Sequence, residues 1–98
     1  MDDLRHQDEI DRGVHAEKIL RDSLYLESYE IVRRALLDKI ETSPHRDVEG
    51  REQLFKMLRA LKDVRGALEQ AMREGKLALH LREEQTRLSK LNPFRRKA

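Results

Sequence analysis

LFKMLRALKDVRGALEQAM, residues 54–72, is the stretch that decides the fold. Apolar side chains recur in it at alternating intervals of three and four residues, at Leu54, Met57, Leu61, Val64, Leu68 and Ala71. This spacing places them on one side of an α-helix, because the helix repeats about every 3.6 residues. Charged side chains between Arg51 and Glu74 fall on the opposite side. The stretch therefore predicts an amphipathic helix that packs on a neighbour.

A second helix is predicted before it, over residues 24–40, and it carries two apolar stripes. The first stripe consists of Tyr25, Tyr29, Val32, Leu36 and Ile40. The second consists of Leu20, Leu24, Ile31 and Ala35. One stripe is enough for a helix with a single neighbour. Two stripes predict burial on more than one side, by the second helix and by a partner chain.

The link between these helices is short. The first helix must end near Thr42-Ser43-Pro44, because a residue before proline is disfavoured in the α region. The next helix starts either after an Asp47 cap or three residues earlier, with Ser43 as the cap and Pro44 in the first turn. Short links join antiparallel neighbours. The predicted fold is an all-α antiparallel helical hairpin with short flanking helices, which we expect to be oligomeric.

Two glycines raise questions about the long helix. Gly66 lies inside it, so either a close helix contact compensates for its low helix propensity or the site is exposed. At Gly75 the helix either ends with a left-handed cap or continues with its apolar side rotated onto Leu77, Leu81, Leu88 and Leu91. Asn92-Pro93 ends the helical pattern. We therefore divide the chain into an acidic, loosely ordered N-terminal arm (1–13), the helical hairpin with a glycine joint near 75 (14–91) and a basic C-terminal tail (92–98).

Composition excludes several classes of protein. The 98 residues are 41% charged and 38% hydrophobic, and none is cysteine. Without cysteine there are no disulfides and no thiolate zinc sites, which favours a reducing compartment. The longest apolar run, Ala35-Leu36-Leu37, is far shorter than the roughly 20 residues that span a bilayer. The chain opens on Met1-Asp2-Asp3 and not on a basic, then apolar, signal segment. We expect a cytoplasmic protein with no membrane partner.

No pattern typical of catalysis or metal binding is present in the sequence. The four histidines, His6, His15, His45 and His80, form no pair at helical metal-binding spacing. Carboxylates alternate with lysine and arginine, which is typical of a solvated helix surface. The glycines stand singly, so no phosphate-binding loop is predicted. We expect no enzymatic activity, no catalytic residue, no metal site and no cofactor.

The two ends of the chain carry opposite charge. Residues 1–11 hold five acids and one base, whereas residues 87–98 hold five bases and no acid. Such ends favour head-to-tail contacts between copies or two different partners. The basic end is a candidate contact for nucleic acid or for an acidic protein, through Arg87, Lys90, Phe94, Arg95, Arg96 and Lys97. Its cations would neutralise phosphates, and its phenylalanine would stack on a base.

The chain resembles a group of small uncharacterised helical phage and prophage proteins encoded near head-assembly and DNA-packaging genes. The likeness covers roughly residues 20–85. It is carried by Thr-Ser-Pro-His-Arg-Asp-Val-Glu-Gly-Arg-Glu-Gln-Leu at 42–54, Leu-Arg-Ala-Leu at 58–61 and Glu-Gly-Lys-Leu-Ala at 74–78. These segments set helix caps and a joint, so the resemblance assigns no functional residue. It implies a virion-assembly or packaging accessory that acts through protein contacts.

The sequence thus predicts a protein-interaction and assembly module that forms a homo-oligomer and docks on a larger assembly, such as phage head or packaging proteins. The predicted interface consists of Tyr25, Tyr29, Val32, Leu36, Ile40, Leu54, Met57, Leu61, Val64 and Leu68. The alternative is a DNA-binding packaging adaptor, similar to a small terminase subunit, that works through the basic tail.

Overall fold

The computed structural model describes residues 2–91, and these form three α-helices and no strand. Helix α1 spans Asp2–Arg21, α2 spans Ser23–Thr42 and α3 spans Val48–Leu91. The all-α prediction is confirmed. The basic tail at 92–98 lies outside the described residues.

A single residue, Asp22, separates α1 from α2. Its backbone is extended, with φ −67° and ψ 128°, and its carboxylate accepts a hydrogen bond from the Tyr25 N–H at 2.9 Å. This is the geometry of an N-cap, which satisfies one of the free N–H groups in the first turn of a helix. The cap fixes the start of α2 immediately after the end of α1.

The link between α2 and α3 is held at both ends by polar side chains. Ser43 ends α2, and both its hydroxyl, at 2.7 Å, and its N–H donate to the Ile40 carbonyl. Asp47 begins α3, since its carboxylate accepts from the Gly50 N–H at 2.9 Å. Of the two starts that the sequence allows, the Asp47 cap is the one observed. Arg51 closes the link by donating to the Pro44 carbonyl at 2.7 Å.

Helix α1 packs antiparallel on the C-terminal half of α3, and this is the most extensive contact between helices. The Arg82 guanidinium donates to the Gln7 side chain at one end, and Lys76 pairs with Glu17 at 3.6 Å nearer the other. Between them the backbones meet at Gly13 and Gly75, where a methyl group on either residue would lie 2.7 Å from the Cα of the other. Ile10, Ala16, Ala71 and Ala78 are buried around this crossing.

This packing corrects the expectation of a loosely ordered acidic arm at 1–13. Residues 2–13 belong to α1, which is as long as α2. The sequence contains few large apolar residues there, which is why an arm was expected. Glycine and alanine allow α1 and α3 to approach closely, so this contact does not need large side chains.

Helix α3 also differs from expectation, because it continues through Gly75 for 44 residues. None of the glycines in the described part of the chain has a positive φ, so Gly75 is neither a left-handed cap nor a joint. The buried side stays on Ala71, Gly75 and Ala78. The side chains expected to take over from them are exposed by 48–65%, at Leu77, Leu81, Leu88 and Leu91.

Helix α2 lies along the N-terminal half of α3 and contacts it less extensively than α1 contacts the other half. The Arg65 guanidinium stacks over the Tyr29 ring at 4.9 Å, and Arg51 lies beside Ser43 near the link. These pairs set an antiparallel register in which Leu36 faces Leu58, and both side chains are buried. The molecule is therefore one long helix paired with two shorter helices in succession.

The resulting shape is elongated and thin. The molecule measures 74 × 26 × 19 Å, and its radius of gyration is 21.5 Å. A compact domain of this length would have a radius of gyration of about 12.6 Å. The molecule is only two helices thick, so every helix has sides that no other part of the described chain covers.

Candidate interaction surfaces

The ten residues of the predicted interface separate into two groups. Seven lie between α2 and α3, where Leu36 is buried and the other six are half-buried: Tyr25, Tyr29, Ile40, Leu54, Leu61 and Leu68. Val32, Met57 and Val64 lie outside this contact and are 45%, 55% and 62% exposed. The first group holds the chain together internally, so only the second group is free to meet another molecule.

The division follows from which row of α3 faces α2. Leu58 and Arg65 occupy the contact in place of Met57 and Val64, each one residue along the helix. Each single-residue step turns a side chain by about 100° around the helix axis. The sequence did not reveal this choice, because both rows keep intervals of three and four. Arg65 enters the contact through its stacking on Tyr29, a role for a cation that periodicity of apolar residues does not detect.

Helices α2 and α3 together present a broad uncharged surface, which we call the α2–α3 face. All ten of its residues are exposed and none is charged. On α2 they are Leu24, Ser28, Ile31, Val32 and Ala35. On α3 they are Gln53, Met57, Ala60, Val64 and Ala67.

Helix geometry places these two rows on the same side of the molecule. In an antiparallel pair, side chains rotated in the same sense from the contact line project to the same side. On both helices the row lies one residue earlier in the chain than the contact line, which passes through Tyr29 and Leu36 on α2 and through Leu58 and Arg65 on α3. It is therefore turned about 100° around the helix axis, in the same sense on each helix. Of the second stripe of the sequence analysis, Leu24, Ile31 and Ala35 therefore join Met57 and Val64 on one surface, whereas Leu20 belongs to α1.

The opposite flank of α2 carries a cluster of ion-paired side chains. Glu30 accepts hydrogen bonds from Arg33 at 2.6 and 2.9 Å and from Arg34 at 3.2 Å. The pKa of Glu30 is lowered to about 2, above all by the hydrogen bonds from Arg33. Partial desolvation opposes this effect, and the hydrogen bond from Arg34 and the attraction of both cations add to it. Glu30 also raises the pKa of Arg33, by accepting its hydrogen bonds and by its negative charge. This flank is a solvated, ion-paired surface that contrasts with the α2–α3 face.

The C-terminal candidate residues are only partly described. Arg87 and Lys90 are exposed near the end of α3, and Arg87 pairs with Glu84 at 2.9 Å. Phe94, Arg95, Arg96 and Lys97 lie outside the described residues. The part of the basic cluster that is placed thus offers one ion-paired arginine and one lysine.

Other kinds of site find little support in residues 2–91. These residues contain no group of three or more histidine and acidic side chains able to hold a metal ion. No helix among them is long and apolar enough to cross a membrane. A depression of about 680 Å³ runs along α3 beside Phe55, Lys56 and Lys62, and it is open to solvent. General acid–base chemistry needs groups that converge where water is excluded, and this depression does not provide that environment.

The exposed area of the whole chain is large for its mass. It is 8436 Å² for 11.6 kDa, whereas a compact monomer of this mass exposes about 5,800 Å². No side chain in the described part is fully buried, and large apolar residues remain exposed on all three helices, among them Leu4, Ile31 and Val64. The elongated shape exposes this additional surface, and part of it is apolar helix surface without a neighbour in the described chain.

Comparisons with protein-family models, curated proteins and solved structures found no match to this chain, so its function is inferred from the geometry described above.

Proposed function

We propose that this protein is a non-enzymatic helix–helix interaction module that self-associates and serves as a structural or packaging accessory of a larger assembly. Its associating unit is the antiparallel α2–α3 hairpin. The observation that carries the proposal is the exposed apolar side chains of α2 and α3, above all Ile31, Met57 and Val64, each 55–62% exposed.

The energetics favour association through many such side chains. Fully burying a large aliphatic side chain contributes about 1.5–3 kcal/mol, so covering the exposed part of each of these contributes roughly 1 kcal/mol. Association costs an estimated 4–15 kcal/mol in lost freedom. Roughly ten side chains, five from each of two copies, bring the gain into this range. At the low end of that cost about 6 kcal/mol remains, which corresponds to a dissociation constant of about 40 μM. We therefore expect association at tens of micromolar.

Sedimentation velocity on the full chain, from about 1 to 100 μM, tests self-association. The proposal expects a mass that rises with concentration to at least twice 11.6 kDa, with unchanged helical circular dichroism per residue. A well-folded particle of 11.6 kDa at the highest concentration would contradict it.

The phage or prophage context is part of the proposal and rests on the resemblance at 42–54 and 74–78. Its DNA-binding alternative depends on the tail at 92–98, because Arg87 is engaged with Glu84. A DNA-retention assay at several salt concentrations, with the full chain and with a chain ending at 91, separates the two. If the protein is an assembly module, removing the tail should not change the retention of DNA at low salt. Retention lost on truncation would favour the adaptor.

A further inference from the structure

We propose that the α2–α3 face binds the same face of a second copy of this chain. The two α2–α3 pairs then form a four-helix bundle of two layers, related by a two-fold axis. The inference rests on the proposed function and specifies the surface that carries it. Helix α1 stays on its own α3 in the complex.

No exposed charged side chain interrupts the face between Leu24 and Ala35 on α2 or between Gln53 and Ala67 on α3, and the nearest charges along these two rows are Lys39 and Glu49 at their ends. A two-fold interface brings each surface against a copy of itself. A charged patch would meet its own charge near the axis, whereas an uncharged apolar face packs on itself without repulsion.

The α3 part of the face is continuous with the side of α3 that packs on α1. The α3 row of the face continues at intervals of three and four from Val64 and Ala67 into Ala71, Gly75 and Ala78. That continuation is buried beneath α1, with Gly13 against Gly75. The same side of α3 thus accommodates a closely packed helix along its C-terminal half. Along its N-terminal half it carries residues of the same kind, and no helix of the described chain covers them.

The size of the face is a further argument. The axes of packed helices lie 8–10 Å apart, and residues 53–67 extend over about 21 Å. The face is therefore roughly 20 by 20 Å, or about 400 Å² of projected area on each copy. Two copies cover about 800 Å² by this measure, and more when the side-chain relief is included. This projected area lies below the roughly 1,200–2,000 Å² of stable specific interfaces and in the range of weak, transient contacts, which agrees with a dimer that forms only at tens of micromolar.

The other exposed apolar stripe fits a second copy less well. Leu77, Leu81, Leu88 and Leu91 lie on a single helix, and Glu84 interrupts them. This stripe is one helix wide, so it offers a narrow contact that contains a charge. It serves as the internal control for the proposal.

The test uses charge variants of the full chain at exposed positions of the face. One variant carries Ile31→Glu and Val64→Glu, and the second carries Ile31→Lys and Val64→Lys. Both residues are at least 60% exposed, and glutamate and lysine are better helix formers than isoleucine or valine. Each variant should therefore keep its circular dichroism and thermal transition. The control carries Leu77→Glu and Leu88→Glu on the other stripe.

By sedimentation velocity at 100 μM, the wild type and the control are expected to have twice the chain mass. Each face variant alone is expected to sediment as a monomer, with self-association at least tenfold weaker. An equimolar mixture of the two face variants is expected to recover the dimer mass, because opposite charges then meet across the two-fold axis. Recovery by mixing identifies the second copy as the occupant of the face.

Three results would overturn the inference. Face variants that remain dimeric while the control dissociates would assign the contact to the leucine stripe. Face variants that dissociate but do not associate on mixing would show that the two faces do not meet. A wild type that is monomeric at 100 μM would contradict the proposed function itself, which is a distinct outcome from the first two.

Discussion

The crossing of α1 and α3 predicts opposite effects of one substitution at two glycines of the same helix. Gly66 has no neighbouring atom within 4 Å of the position where a methyl group would lie, so Gly66→Ala meets no steric resistance. Alanine exceeds glycine in helix propensity by about 1 kcal/mol. Gly66→Ala should therefore raise the free energy of unfolding by about 0.5–1 kcal/mol.

At Gly75 the same methyl group would lie 2.7 Å from the Gly13 Cα and 2.9 Å from the Glu9 carbonyl oxygen. Carbon atoms pack at about 3.5–4.0 Å, so the two helices must separate by close to 1 Å. Their backbones cannot rotate away as a side chain can. Overpacking a fitted contact costs typically 1–3 kcal/mol, and the separation also loosens the packing around Ala71 and Ala78. After the gain in helix propensity of about 1 kcal/mol, Gly75→Ala should lower stability by up to about 2 kcal/mol.

Urea unfolding followed by circular dichroism at 222 nm, at one fixed protein concentration, measures both variants. The difference between them, about 1–3 kcal/mol, isolates the cost of the clash, because the gain in helix propensity is common to both variants. Equal stabilisation by Gly75→Ala and Gly66→Ala would refute the close crossing and, with it, the placement of α1.

Three further predictions concern α2. Asp22→Ala removes the cap from the Tyr25 N–H and should cost about 1 kcal/mol in urea unfolding, whereas Asp22→Asn should retain most of the stability; equal losses would argue against capping. Leu36→Ala empties the most buried position of α2 and should cost about 2–3 kcal/mol by the same measurement, near the low end for core leucines because the layer is thin; a loss below 1 kcal/mol would mean that α2 and α3 do not pack there. The Glu30 carboxyl should titrate near pH 2 by NMR, and Arg33→Ala should raise its pKa. Because the pKa is lower in the folded state than in the unfolded state, the contribution of this ion pair to folding stability is complete above about pH 4.5 and is lost as the pH falls toward 2. A Glu30 midpoint near 4.5 in the wild type would contradict the Arg33 contact.

The parts of the fold that the sequence predicted are those fixed by local chemistry. The Asp47 cap, the end of α2 before Pro44 and the helical period of residues 54–72 each depend on neighbours along the chain. The α1–α3 contact was missed because it is made by glycine and alanine, whose packing depends on how closely two backbones approach. The sequence predicts a joint at Gly75 because large apolar residues leave the seam there and reappear at Leu77 and Leu81, whereas in the structure the small residues Gly75 and Ala78 continue the buried side of α3.

The candidate surface was only partly predictable. Periodicity could not choose between Met57 and Leu58, or between Val64 and Arg65, because both rows suit a helix. The register between α2 and α3 settles that choice, and it depends on Tyr29 lying beneath Arg65. The second stripe of α2 stays exposed in the described chain at Leu24, Ile31 and Ala35, and its burial by a partner chain stays a prediction. Its union with Met57 and Val64 in one face required the three-dimensional arrangement.

The central claim is that a single copy of this chain leaves too much apolar helix surface uncovered to remain alone. The concentration dependence of the sedimentation mass of the wild-type chain tests it most directly. We expect a sedimentation mass of 11.6 kDa at the lowest concentrations and twice that mass by about 100 μM, with helical content unchanged. A folded chain that keeps a mass of 11.6 kDa throughout would contradict it.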